Sequence, residues 1–172
     1  KIASIELYYH HLLKQLAAYK KPMIISTGMA YMYEIEETMN LLKQENARDI
    51  ILLHCVSCYP PKPDQLNMRN ISMFKNIYDI PIGFSDHSTG ITSAVIAVTL
   101  GAKVIEKHVT LSKKSKGPDH KISSEIKEFS DISKTFDKTN FVSIEIVRNN
   151  DLILKEFELK YNNEMNKYII GI

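Results

Sequence analysis

Two histidines stand where an apolar run turns polar, and each has an acid beside it. His87 lies in "IGFSDHSTG" (82–90) and His108 in "VIEKHVT" (104–110). In an extended chain successive side chains alternate between faces, so Ser85 and His87 share one side and Asp86 takes the other. By the same rule Glu106 and His108 share a side, with Lys107 opposed to them. Neighbouring strands lie roughly 5 Å apart, which lets two imidazoles on consecutive strand ends grip one ion. A single histidine at a strand end is more often a hydrogen-bonded structural residue. Two at matching ends favour a divalent metal, and two protein ligands leave positions open for Lewis-acid catalysis.

Hydroxyl groups form a second set. Ser4, Ser26, Ser57 and Ser85 each close one of four successive β-like runs, and Lys1 stands at the start of the first. Any one of these serines is ordinary turn chemistry. Repeated at four ends, they form a ring of hydroxyls with one point charge, suited to holding a phosphate group. Cys55 and Cys58 in "CVSC" are a weaker signal. The histidines are too widely spaced to complete a zinc finger, and the pair runs into "YPP" instead of opening a helix as a redox motif does. Cys55 reads as a buried small hydrophobe. His54 reads as a satisfied interior residue, His120 as a loop residue, and His10 and His11 as surface residues.

Short β-like runs at 1–4, 23–27, 51–55, 82–86 and 104–109 alternate with helix-like stretches that position these groups. Apolar residues recur at helical spacing: Leu12, Leu13, Leu16 and Ala17; Ile35, Met39 and Leu42; Ile71, Phe74 and Ile77; Ile91, Ala94, Val95 and Val98; Ile126, Phe129, Ile132 and Phe136. Gly101 is placed to end the fourth helix. Such alternation predicts an α/β fold with a parallel sheet built from βα units. No G-x-G-x-x-G follows the first run, which disfavours a dinucleotide fold. Polar residues gather instead at the carboxyl ends of the strands, as at the active-site rim of a (β/α)8 barrel. Five units do not close such a barrel, so the expectation is its C-terminal five units over 1–137, with upstream units missing. Residues 138–172 mix strand and helix signals and receive no fold.

Bulk properties agree with one globular domain: 172 residues, 44% hydrophobic, 24% charged, net charge +2. Scattered charges give no basic face for nucleic acid. No apolar run approaches the roughly 20 residues of a membrane span. Two cysteines make no disulfide framework, so a cytoplasmic location is expected.

The segments "KIAS" (1–4), "KPMIISTGMA" (21–30), "LLHCVSCYP" (52–60), "IGFSDHSTG" (82–90), "GAKVIEKHVTL" (101–111) and "GPDHKIS" (117–123) together resemble the sialic acid synthase family. That family comprises N-acetylneuraminate synthases and their legionaminate, pseudaminate and spore-coat relatives. The resemblance implies a (β/α)8 barrel that condenses phosphoenolpyruvate with an N-acyl amino sugar of the N-acetylmannosamine type. The product is a nonulosonic acid, phosphate is released, and Mn²⁺ assists, with Mg²⁺ or Co²⁺ as alternatives. It makes His87 and His108 the metal ligands. Lys1, Ser26, Ser57 and Ser85 line the phosphoenolpyruvate pocket, with Ser4 nearby. Tyr59 and Asp119 contact the sugar, Glu6 matches an acidic position of the site, and Glu106 orients a ligand or metal-bound water. It further implies a homodimer and a downstream antifreeze-like domain, which residues after 137 do not match. Ile5 departs from the small residue usual after "KIAS". Two other readings stand beside this one: another metal-dependent barrel such as an aldolase or hydrolase, and a non-catalytic fragment that binds sugar or a partner subunit.

Overall fold

The computed structural model describes residues 1–137, 142–144 and 168–171. Four fully buried parallel strands occupy its centre: β1 (Met23–Ser26), β2 (Ile50–Cys55), β3 (Ile82–Asp86) and β4 (Val104–Lys107). They lie side by side in chain order, paired Met23 with Ile50, Leu52 with Ile82 and Gly83 with Val104. Each connection runs through a helix: α2 (Met32–Gln44), α3 (Arg69–Ile77) and α4 (Thr92–Thr99). Sequential parallel order with helical crossovers is the arrangement of a (β/α) barrel segment.

Alternation sorts the strands into two faces. Ile25, Leu52, Ile82, Phe84 and Ile105 join Leu13, Ile35, Leu42, Ile71, Phe74 and Ala97 in one core between sheet and helices. On the opposite face Leu53 and Val104 flank Gly83, where a Cβ would collide with both. Helix ends carry the expected local chemistry. Glu34 accepts the Tyr31 amide at 2.6 Å before α2. After α4, Gly101 takes φ +102°, and amides 101 and 102 bond carbonyls 98 and 97, a Schellman closure.

Three sequence expectations change. The run 1–4 contributes one parallel bridge, Ile2 to Ile25, and then a 3-10 turn over Ser4–Tyr8 precedes α1 (His10–Ala18). The run 104–109 is broken at His108, because the His108 carbonyl accepts the Ser124 amide at 2.8 Å. That bond turns the chain toward a separate ribbon of β5 (Val109–Thr110) and β6 (Ser124–Glu125), ahead of α5 (Ile126–Asp137). The segment left without a fold supplies β7 (Val142–Ile144) and β8 (Tyr168–Gly171), and β8 pairs with β4 and with β7 in parallel. The rest of 138–172 lies outside the described residues. No described helix is long and apolar enough to cross a membrane.

Candidate active site at the carboxyl ends of the strands

Register brings the polar residues together. Cys55 pairs with Ser85, and Ser85 with Glu106, so three strands place a thiol, a hydroxyl and a carboxylate in one row. The Ser85 hydroxyl donates to Glu106 Oε1 at 2.7 Å. Lys1 Nζ donates to both oxygens of the same carboxylate, at 2.6 and 2.7 Å. Glu106 is buried, whereas the Lys1 side chain is 31% exposed. Lys1, expected at a phosphate, thus rests on a carboxylate.

Just beyond this row the two histidines meet. The rings of His87 and His108 have centroids 5.5 Å apart and cross at 62°. Tyr59 covers them, stacked on His87 at 4.1 Å and edge-on to His108 at 5.8 Å. His87 Nδ1 lies 2.9 Å from the Val56 carbonyl, which can only accept, so the proton sits on Nδ1. Nε2 then presents its lone pair, 3.5 Å from Ser85 Oγ, whose own proton is directed to Glu106. Burial works against the His87 cation, but Cys55, the Val56 carbonyl and the charge of Glu106 outweigh it and hold the imidazole pKa above its ordinary value. Burial also works to raise the Cys55 thiol. Hydrogen bonding and charge from His87, helped by Ser4 and Ser85, reverse this and lower it. The Cys55 sulfur is 3.8 Å from His87 Nδ1.

Does this arrangement fit a divalent ion? Imidazoles bound to one ion at about 2.1 Å have ring centroids roughly 4.5–5.5 Å apart for ordinary bond angles. The pair here fits, and the tautomer of His87 leaves the required lone pair. Among the described residues no group of three or more His, Cys, Asp or Glu side chains is gathered that could hold a metal ion, so the fit rests on the spacing of these two rings alone.

A cradle adjoins the histidines. Ser4 Oγ accepts the Gly28 amide at 2.9 Å. A Cβ on Gly28 would overlap Ser57 Oγ and approach Ser4 Oγ to 2.8 Å and the Cys55 sulfur to 3.2 Å. Ser26 Oγ is buried with no hydrogen-bond partner. An orphaned buried hydroxyl is costly unless something arrives to satisfy it. Asp119 opens the short turn Asp119–Lys121, and its charge, after burial and Cys55, helps raise the phenol of Tyr59. Glu6 is engaged locally, accepting the Ala3 amide at 2.8 Å. His54 is an interior residue as expected: Nε2 lies 2.7 Å from the Leu66 carbonyl, and burial lowers its pKa.

The sequence profile of the NeuB family matches residues 1–144. The chain belongs to the NeuB family. Relatives include N,N'-diacetyllegionaminic acid synthase of Campylobacter jejuni, 44% identical over 74% of this chain and 39% of that protein. Human N-acetylneuraminate-9-phosphate synthase is 41% identical over 72% of this chain and 34% of its own length. An uncharacterized protein of Methanocaldococcus jannaschii is 47% identical over 77% of this chain and 39% of its own length. Among solved structures, the N-acetylneuraminic acid synthetase of Leptospira borgpetersenii, in complex with citrate, superimposes with TM-score 0.77 at 38% identity. It is covered to 48%, and this chain to 80%. The spore coat polysaccharide biosynthesis protein of Bacillus subtilis gives 0.76 at 37%, covered to 39% against 80% of this chain. A truncated 3-deoxy-D-arabino-heptulosonate 7-phosphate synthase of Thermotoga maritima, 17% identical with TM-score 0.68, shares the fold. This NeuB chain is therefore a partial (β/α)-barrel domain, spanning 34–39% of the length of these curated relatives.

Two residues of the cluster escape sequence reasoning. Cys55 reads as a filler, and only its register opposite Ser85 sets it beside His87. Gly28 has no side chain to single it out in the sequence, and its place in the cluster follows from what that missing side chain leaves open.

Proposed function

We propose that the protein containing this chain condenses phosphoenolpyruvate with an N-acyl amino sugar to a nonulosonic acid, with release of phosphate. The observation that carries the reading is the convergence of His87, His108, Ser85, Glu106 and Lys1 at the carboxyl ends of consecutive parallel strands. Family membership and the names of the relatives support it.

His87 Nε2 and His108 would hold a divalent ion, Mn²⁺ or a similar metal. Bound there, it supplies a Lewis acid that polarises the sugar's aldehyde oxygen. The chain's own groups do the rest. The Gly28 cradle, with the unpaired Ser26 hydroxyl and Ser57, receives the phosphate, and Lys1 moves its ammonium from Glu106 to the incoming anion. Tyr59 and Asp119 orient the sugar. The enol carbon then attacks the aldehyde carbon, the carbonyl π pair passes to its oxygen, which takes a proton to become a hydroxyl, and the pyruvyl carbon becomes electron-deficient. Water adds to that carbon, losing a proton, and the hydroxyl so formed gives up its own proton to become the ketone as phosphate departs by carbon–oxygen cleavage. Glu106, released by Lys1, stands ready to take the water's proton at Oε2. Holding both reactants in register supplies roughly 7–11 kcal/mol of the barrier reduction.

The test is phosphate release from phosphoenolpyruvate by the purified protein with Mn²⁺. Release that requires an N-acylmannosamine-type sugar supports the reading. Metal-dependent hydrolysis indifferent to phosphoenolpyruvate would replace it with another barrel activity.

A further inference from the structure

The reaction uses one face of β3 and β4, yet the opposite face carries a second ion pair. Asp86 and Lys107 are register partners, and Nζ donates to Oδ2 at 2.8 Å, with the side chains 0% and 1% exposed. Lys107 also donates to the Ser88 carbonyl at 2.6 Å. The other oxygen of Asp86 accepts the Ser88 amide at 2.9 Å and the Ser88 hydroxyl at 2.6 Å. Ser93, in the first turn of α4, has its hydroxyl 2.8 Å from that of Ser88.

Each member of the pair stands one residue before a site histidine. His87 is bracketed: Asp86 is held by its carboxylate, and Ser88 by its amide, hydroxyl and carbonyl. These bonds converge on an ammonium borne by the residue that precedes His108. The link therefore runs from one histidine's backbone to the other's, across the sheet and away from solvent. A buried ion pair contributes little stability over a well-packed apolar pair of the same volume, so stability alone does not account for it. Direction does. Ions discriminate against small errors in ligand spacing, and supporting contacts behind the ligands are what fix that spacing.

We propose that Lys107 and Asp86 are positioning residues, a clamp that sets the separation of His87 and His108 and thereby the site's affinity for a divalent ion. The inference rests on the metal-assisted reading above.

The experiment measures Mn²⁺ binding by electron paramagnetic resonance of the free ion, alongside circular dichroism and thermal unfolding. Lys107→Met alone strands a buried carboxylate, so the main variant is the charge-free pair Lys107→Met with Asp86→Leu. The folded pair is expected to bind Mn²⁺ about 10- to 100-fold more weakly. Wild-type affinity in the folded pair overturns the clamp. If the pair does not fold, Lys107→Arg decides, because it keeps the charge and changes the reach. A several-fold weaker Mn²⁺ affinity is expected there, and an unchanged one overturns the clamp. Leu42→Ala, on the buried face of α2, is the stability control, and an equal loss of Mn²⁺ affinity in it also overturns the proposal. His87→Ala tests the underlying reading separately. If it binds Mn²⁺ normally, the metal site itself fails; if it loses Mn²⁺ while the clamp variants keep it, only the clamp fails.

Discussion

Strand β4 carries half of each of two ion pairs, one on either face: Lys107 meets Asp86 of β3, Glu106 meets Lys1, and the two pairs are opposites in access. On the helix side Lys107 and Asp86 are sealed, with their remaining bonds made to Ser88. On the mouth side Lys1 keeps 31% of its side chain in solvent while Glu106 is buried beneath it. The same chemistry serves two ends. A sealed pair has nothing to exchange with and fixes geometry. A half-open pair leaves its cation able to trade a carboxylate for an arriving anion, which is the part the proposed function gives it.

The largest expected contrast lies in what sits beyond each pair. His87→Ala or His108→Ala should cut metal-dependent phosphate release by at least about 1000-fold while leaving the circular dichroism spectrum unchanged. Full activity in either variant removes that residue from the mechanism. Next comes the open pair itself. Lys1→Met should lower kcat/KM for phosphoenolpyruvate by about 10- to 100-fold, the scale of one charge-assisted hydrogen bond, with some loss of stability because the buried Glu106 carboxylate loses its cation. A large stability loss with normal kinetics would make Lys1 structural and erase the distinction between the pairs. Gly28→Ala should act more mildly, raising KM for phosphoenolpyruvate about tenfold as the new methyl presses on Ser4 and Ser57, at about 1–3 kcal/mol of stability in urea titration. An unaltered KM would separate the cradle from substrate.

The smallest effect concerns His54, sealed like Lys107 but uncharged. Its pKa is lowered by burial, so below ~6.5 the unfolded chain binds a proton that the folded chain resists. Stability should rise with pH through that window and fall on acidification. His54→Gln, which keeps a donor for the Leu66 carbonyl, should flatten that slope in urea unfolding between about pH 5 and 7.5. An unchanged slope would assign the acid loss to other groups.

Much of the frame was legible because its signals are local. Apolar spacing places Ile35 and Leu42, or Ile71 and Phe74, on buried faces, and Gly101 stops α4 where a Schellman closure requires it. Ile77 and Ile126 fit the same helical spacing and nevertheless stand in solvent, 53% and 49% exposed, because spacing does not say where a neighbour ends. Alternation also gave the correct faces for Ser85, His87, Glu106 and Lys107. What sequence could not supply was register. Cys55 meets His87 only because β2 lies against β3 in one particular offset, and Lys107 finds Asp86 for the same reason across the next pairing. The first run failed as a strand because its pairing to β1 is a single bridge, after which the chain coils into a 3-10 turn capped by Glu6.

One quieter feature bears on all of these charges. Gly83, with Leu53 and Val104 closing over it, lays hydrocarbon one rung beneath Ser85 and Glu106. The carboxylate thus has hydrocarbon beneath it and the Lys1 ammonium on both its oxygens, so solvent screens the attraction between them little on the inner side. Drawing Lys1 away would bare a negative charge whose field, with hydrocarbon behind it, acts mainly toward the opening.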